Sequence, residues 1–291
     1  MAIPMLNSYP LPTKAELPVN KVKWQVESHR AALLIHDMQN YFLNFWETGS
    51  PLTAQLIANI VRIRQLCHQL GIPVFYTAQP NAQSDKDRAL LNDMWGPGLN
   101  RHPEQQQITA ALTPEPHDTV LVKWRYSAFH RSDLEQRLHA TGRDQLIICG
   151  VYAHIGCLTT ATDAFMRDIQ PFMVADALAD FSREEHMMAL RYTAGRSGRV
   201  LNSEQLLTEL TAQPDNSLSR LRAELLPLLD GDADPTDDDN LLDYGLLDSV
   251  SIMSLVTRWR QQGHDVDFVT LVKKPTLRHW QQYLTPVREE A

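Results

Sequence analysis

Asp37, Lys123 and Gly156 each stand just past a short apolar run of this chain, and together they frame a chemical question. A carboxylate beside a lysine is either an ion pair or an acid/base pair, and burial decides which. Read singly, Asp37 could cap a helix and Lys123 could be a surface charge. A thiol opening the helix that follows the fourth run would have its pKa lowered by the helix terminus. Position 156 holds glycine instead, and the nearest thiol, Cys157, comes one residue late. A chain that keeps the architecture of nucleophilic catalysis without the nucleophile must do its chemistry another way.

The elements needed to bring these residues together are legible in the hydrophobic pattern. Apolar runs at 31–35, 74–76, 119–122, 145–148 and 172–174 alternate with helical periodicity at 52–70, 132–140, 157–169 and 183–194. Ser182, with Glu185 three residues on, has the form of a capping box for the last of these. Strands alternating with helices predict an α/β fold, a Rossmann-like, mostly parallel sheet flanked by helices. In such a sheet the strand carboxyl ends share one crevice, so Asp37, Lys123 and Gly156 are predicted to converge there. Segment 80–114 is long and polar and contains Trp95-Gly96-Pro97-Gly98, which marks it as a functional loop or lid.

A helix at 203–211 precedes the turn-rich stretch 213–217, read as a linker, so the domains are 1–212 and 213–291. Four helical segments follow, near 218–229, 250–262, 268–273 and 277–284, predicting a small four-helix domain. The formal net charge of −8 is concentrated there: residues 213–291 hold 14 acidic and 8 basic side chains, the first 212 residues 21 and 19. That balance excludes nucleic acid as a partner and makes the tail a unit for basic partners. Three cysteines (Cys67, Cys149, Cys157) show no metal-ligand spacing, which argues against a disulfide framework and a metal site. No apolar run reaches membrane-spanning length and the first ten residues lack a signal pattern, so no membrane partner and a cytoplasmic location are expected.

The segments LLIHDMQNYF, VFYTAQP, ALLNDMWGPG, VKWRYSAF and GVYAHIGCLTTATDAFM resemble the isochorismatase branch of the cysteine-hydrolase superfamily across nearly all of residues 1–210. In the superfamily's amidohydrolases an Asp–Lys–Cys triad acts, with the cysteine six residues after the glycine matching Gly150. Here that position is Gly156, as in isochorismatases. The resemblance implies hydrolysis of a vinyl ether: isochorismate and water give 2,3-dihydro-2,3-dihydroxybenzoate and pyruvate. It makes Asp37 the general acid, Lys123 the group that stabilises charge at the ether, and Gly156 the residue that leaves room for the enolpyruvyl group. It implies that Gln79, Arg88 and Tyr152 hold carboxylates and hydroxyls, while Phe42, Trp95 and Tyr126 wall the pocket. His36 and His154 flank this site as hydrogen-bonding support.

In the tail, Asp248-Ser249 opens the second helix after an acidic loop and resembles the attachment motif of a carrier domain. The resemblance implies that the Ser249 hydroxyl receives 4′-phosphopantetheine. Aryl carrier domains joined to isochorismatases usually read Gly-Leu-Asp-Ser; this chain has an additional leucine, Gly245-Leu246-Leu247-Asp248-Ser249. Met253, Phe268 and Val272 are the apolar candidates for a partner-facing surface. The combined expectation is a bifunctional protein of aryl-capped siderophore assembly, carrying a 2,3-dihydroxybenzoyl thioester. Its implied partners are a phosphopantetheinyl transferase, a 2,3-dihydroxybenzoate-adenylating ligase and a nonribosomal peptide synthetase condensation domain, and a homo-oligomer is expected. Two alternatives stay open: an amidohydrolase using Cys157, and a carrier scaffold with an inactive hydrolase domain.

Overall fold

Alternate residues of the first strand, Ala31–His36 (β1), face opposite sides of a sheet, and both sides are covered. Leu33 and Ile35 pack into one apolar cluster, and Ala32 and Leu34 into a second. A strand buried on both faces reads as a continuous apolar run, which is why its period of two is invisible in the sequence. The computed structural model describes residues 4–212, 217–225, 228, 235–242, 247–261 and 264–284. They fall into two compact units, Met1–Ala212 and Gln213–Ala291.

The first unit is built on a six-stranded, wholly parallel sheet. Its other strands are Val74–Ala78 (β2), Thr119–Val122 (β3), Gln145–Val151 (β4), Gln170–Ala179 (β5) and Arg199–Leu201 (β6). The order is β3-β2-β1-β4-β5-β6, so the chain reverses direction of travel between β1 and β4 and opens a crevice at their carboxyl ends. Short helices Asn40–Leu43 (α1), Asp85–Arg88 (α3) and Leu91–Trp95 (α4) lie on the connections, while Pro51–Gln69 (α2) forms the first long crossover. Leu134–Ala140 (α5), Leu158–Phe165 (α6), Arg183–Tyr192 (α7) and Ser203–Ala212 (α8) complete the unit. Leu56, Ile60 and Ile63 of α2 and Leu206 of α8 cover one face; Leu138 of α5, Ala161 of α6 and Leu190 of α7 cover the other. Ser182 caps α7 by accepting the Glu185 N–H at 3.2 Å.

Two local features depart from the sequence reading. Strand β6 was not among the apolar runs, because three residues carry too little pattern to register. The helix after β4 begins earlier than its periodicity indicates, with a π-helical turn over Ala153–Cys157 running into α6. The amides of Ile155 and Cys157 both donate to Tyr152 O at 3.2 Å. Gly156 therefore sits inside a wide helical turn instead of facing free N–H groups of a helix start, and such turns recur at functional sites.

The second unit has four helices among its described residues: Ser217–Leu225 (α9), Ser249–Gln261 (α10), Phe268–Lys273 (α11) and Leu277–Leu284 (α12). They enclose a separate core in which Trp259 and Trp280 meet edge to face, 6.1 Å between ring centroids. The expected linker residues 213–216, part of the acidic loop (229–234) and residues 243–246 of the attachment segment lie outside the described residues. Among the described residues no helix is long and apolar enough to cross a membrane.

Candidate active site

Asp37 leaves β1 with φ +50°, a left-handed backbone that a non-glycine residue adopts only when its surroundings impose it. Thr77 of β2 supplies part of that constraint. Its hydroxyl accepts the Asp37 N–H at 3.1 Å and donates to Asp37 Oδ1 at 2.6 Å. Lys123, the residue after β3, reaches across β2 and places its Nζ 3.0 Å from Asp37 Oδ2. Both charges are buried, at 6% and 3% exposure, so this is an ion pair withdrawn from water and not a surface contact. Burial works against the Asp37 charge. His36, Lys123 and the Thr77 hydroxyl outweigh it and hold the carboxyl below its ordinary value.

His36 gives Gly156 its meaning. The imidazole is fully buried; Nδ1 donates to Val151 O at 2.8 Å and lies 3.5 Å from Asp37 Oδ2. Burial pushes His36 down to about 4, so it stays neutral at pH 7. A Cβ at position 156 would meet His36 Cε1 at 2.2 Å and Nε2 at 2.8 Å, closer than any side chain tolerates. The space a side chain at 156 would enter first is thus occupied by the imidazole, while Gly156 itself lines the cleft. Cys157 points away into the apolar cluster on the α5–α7 face, where burial keeps its thiol far above the usual range.

Around the Asp37–Lys123 pair the fold opens a cleft. Phe42, Gln79, Arg88, Trp95, Tyr126, Tyr152 and Gly156 all line it. Segment 80–114 contributes its outer wall through Arg88, Leu91, Trp95 and Gly98. Arg88 is 3% exposed, donating through Nε to Gly96 O at 2.6 Å and through Nη1 to Gln83 Oε1 at 3.1 Å. Gly98, at φ +54°, lets the guanidinium lie against the backbone, since a Cβ there would stand 2.4 Å from Arg88 Nη2. Among the described residues no carboxylate pairs with Arg88 or with Arg125, another cation of the cleft wall. Burial pulls Arg88 below its ordinary value, as befits a cation without a counter-charge. The Gln79 side-chain amide also makes no hydrogen bond among the described residues, while Gln39 pins the Gln79 backbone from both sides at 2.7 and 2.9 Å.

Tyr152 departs from its expected polar role, because its hydroxyl donates to Phe42 O at 2.7 Å. Its ring meets those of Phe42, Trp46 and Phe181, making it a wall residue. Tyr126 keeps a directed hydroxyl, which accepts from Trp95 Nε1 at 2.9 Å. Sequence reasoning missed Tyr41, Arg125, Ile155 and Phe181, all in the lining. Phe181 is held by Asp180, whose Oδ1 lies 2.5 Å from His154 Nδ1. Burial lowers His154, but the Asp180 contact more than offsets it and raises the imidazole above its ordinary value.

In the second unit Asp248 caps α10, accepting the Ser251 N–H at 2.7 Å, which lowers its own pKa. With the cap supplied by Asp248, the exposed Ser249 hydroxyl has no hydrogen bond among the described residues. Met253, one turn on, is half exposed, and Val250 on the same helix and Val269 on α11 are exposed as well. Phe268 and Val272 are partly buried and pack against the unit's core, so each has one side in that core.

Residues 31–205 match the isochorismatase domain family, and residues 218–284 match the phosphopantetheine attachment site family. The chain is 62% identical over 285 residues to enterobactin synthase component B of Escherichia coli strain K12, covering 98% of this chain and 99% of that protein. It is 48% identical over 300 residues to the isochorismatase of Bacillus subtilis strain 168, with 98% and 96% covered. Phenazine biosynthesis protein PhzD of Pseudomonas fluorescens is 50% identical over 205 residues, 98% of that protein and 70% of this chain. The crystal structure of a cysteine hydrolase from Pseudomonas syringae pv. phaseolicola 1448A shares the fold of the first unit, with a TM-score of 0.60 at 23% identity over 67% of this chain and 98% of that one. A buried Asp–Lys pair in the crevice and an exposed serine at the start of α10 thus sit in one sequence, and the chain belongs to the isochorismatase family, joined to a phosphopantetheine-attachment domain.

Proposed function

We propose that the first unit hydrolyses the vinyl ether of isochorismate to 2,3-dihydro-2,3-dihydroxybenzoate and pyruvate, and that the second carries a 2,3-dihydroxybenzoyl group as a phosphopantetheine thioester on Ser249. The observation that carries the reading is the buried Asp37–Lys123 pair facing a cleft that also contains two guanidiniums with no carboxylate partner among the described residues. Isochorismate bears two carboxylates, so Arg88 and Arg125 match its charge, and Arg88 offers the geometry of a carboxylate fork.

The slow step of vinyl-ether hydrolysis is protonation of the methylene carbon. Asp37 delivers that proton, leaving an oxocarbenium ion and an Asp37 carboxylate. Water adds to the oxocarbenium carbon and its surplus proton returns to Asp37. The resulting hemiketal collapses to pyruvate as its hydroxyl proton moves to the departing ring oxygen. Lys123 and the carboxylate it touches set the local field for the transient charge. Asp37 is ionised in the ligand-free site, so substrate must arrive with a proton; two incoming carboxylates raise the Asp37 pKa toward that state. Phe42, Trp95, Tyr126 and Tyr152 keep bulk water from the cation until the ring is in place.

An exposed, uncommitted serine at a helix N-terminus suits a phosphodiester, because the helix dipole favours its charge. Loading there calls for a phosphopantetheinyl transferase and an aryl-adenylating ligase, and a condensation domain then takes the acyl group from the thioester, with Met253 and the exposed valines as the contact surface. The name of the Escherichia coli relative places that protein in enterobactin synthesis, and an aryl-capped siderophore is the product class we assign here. Pyruvate release from isochorismate tests the first half: Asp37→Asn should lower it by about 10²–10⁴-fold, and full activity in that variant overturns the acid assignment. Intact mass after incubation with coenzyme A and a transferase tests the second. One pantetheinyl mass should appear and vanish in Ser249→Ala.

A further inference from the structure

The end of the sheet opposite the cleft brings together residues far apart in sequence. His68 lies in the last turn of α2, and Glu115, His117 and Asp118 belong to the loop that leads into β3. His68 Nδ1 is 3.4 Å from Glu115 Oε1, and His117 Nε2 is 4.0 Å from Glu115 Oε2. The two imidazoles meet edge to face with centroids 4.6 Å apart. One donor atom from each of His68, Glu115 and His117 lies within 4.8 Å of the others. Donors of a tetrahedral zinc ion stand about 3.3–3.6 Å apart when bonds are about 2.0–2.2 Å, so the widest pair of the set has to close by up to about 1.5 Å.

Asp118 supplies an independent reason to read this as a ligand set. Its side chain is fully buried, and its Oδ1 accepts from His68 Nε2 at 2.8 Å while Oδ2 accepts the Glu115 N–H at 2.8 Å. The two ring nitrogens of His68 thus face two different carboxylates, Nε2 toward Asp118 and Nδ1 toward Glu115. A carboxylate behind a histidine's far nitrogen is the support that metal-binding imidazoles commonly have. Pro114 and Pro116 flank Glu115 and restrict the loop's backbone before any ligand arrives.

We propose that His68, Glu115 and His117, backed by Asp118, form a structural binding site for a divalent transition metal, with zinc the ion that best fits two imidazoles and one carboxylate. Magnesium and calcium prefer all-oxygen shells. His117 and Glu115 are exposed, leaving an entry path and a fourth position for water. Occupancy would staple the end of α2 to the start of β3, away from the cleft.

The test is zinc titration of the full chain after chelator treatment, followed by calorimetry and by competition with a fluorescent chelator. The wild-type protein should take up one equivalent that is lost, or weakened at least tenfold, in both His117→Ala and Glu115→Gln. Asp118→Asn keeps all three donors and should weaken binding about 10–100-fold. Zinc should raise the melting temperature of the wild type and leave that of His117→Ala unmoved, while pyruvate release in His117→Ala stays at the wild-type rate. Undiminished zinc binding in both donor variants overturns the site, as does wild-type binding no tighter than that of His117→Ala. Displacement of zinc by equimolar magnesium overturns the choice of metal.

Discussion

Replacing Gly156 by alanine adds one carbon and, by this structure, sets it against a buried ring. The new Cβ would lie 2.2 Å from His36 Cε1, so the imidazole must retreat by more than 1 Å to reach ordinary contact. It cannot do so while Nδ1 keeps its 2.8 Å hydrogen bond to Val151 O. Overpacking a filled interior costs about 1–3 kcal/mol, and a buried polar group left unpaired about 1–3 kcal/mol more. Gly156→Ala should therefore destabilise the protein by about 2–6 kcal/mol, a large part of a typical domain's 5–15 kcal/mol, roughly. His36 also touches Asp37, so pyruvate release should fall with it. The decisive assay is a double-mutant cycle in urea. Gly156→Ala should cost far less in a His36→Ala background, where the ring is gone. An equal cost in both backgrounds, or a wild-type midpoint for Gly156→Ala, refutes the reasoning. The same contact predicts that restoring a thiol at 156 weakens turnover through His36, not by crowding substrate.

Stability should fall below pH 6.5, because burial depresses His36 to about 4 and His186 to about 3, and the unfolded chain takes up protons that the folded chain refuses. Each histidine removes about 1.6 kcal/mol between pH 6.5 and 5, and an unchanged urea midpoint over that range contradicts the assignment. Asp37, whose folded pKa is lowered, acts in a different window: its contribution is present above the ordinary carboxylate range and is lost only as the pH falls through the folded value. Binding of a dianionic, saturated-ether analogue of isochorismate at pH 7 should take up as much as one proton, read by calorimetry in buffers of different ionisation enthalpy. Zero uptake rules out protonation of Asp37 on binding. Arg88→Gln should raise KM by about 10–150-fold, from a charged hydrogen bond worth about 1.5–3 kcal/mol, and a KM within twofold of wild type removes Arg88 from carboxylate binding.

The strands of this protein were legible because fully buried parallel strands are bare apolar runs between helical patterns. Asp37, Lys123 and Gly156 were legible because polar or small residues at the ends of such runs share one side of a sheet. The reach of Lys123 across β2, and the Thr77 hydroxyl that orients Asp37, depend on strand order, which no local pattern states. The role of Gly156 was hidden for a related reason. The ring that fills its space comes from position 36, a strand away. Tyr152 illustrates the opposite limit, since the residue type is right for hydrogen bonding to ligand and only the fold gives its hydroxyl to Phe42 O. His68 and His117 are 49 positions apart and reveal no spacing signal; the crossover by α2 is what makes them neighbours.

The reacting pair joins an interior strand of the sheet to one of its two edges. Asp37 follows β1, which is flanked by β2 and β4, whereas Lys123 follows β3, which is paired on one side only and shows Val120 and Val122 half exposed. The last tie before the lysine side chain is the Lys123 N–H to Ala78 O hydrogen bond, 2.9 Å long. Edge segments open at a free energy below that of the whole domain. Warming or mild denaturant should then detach the lysine while the core holds, giving a folded but silent enzyme. Inactivation would precede melting, and amide exchange along β3 would track the loss of turnover.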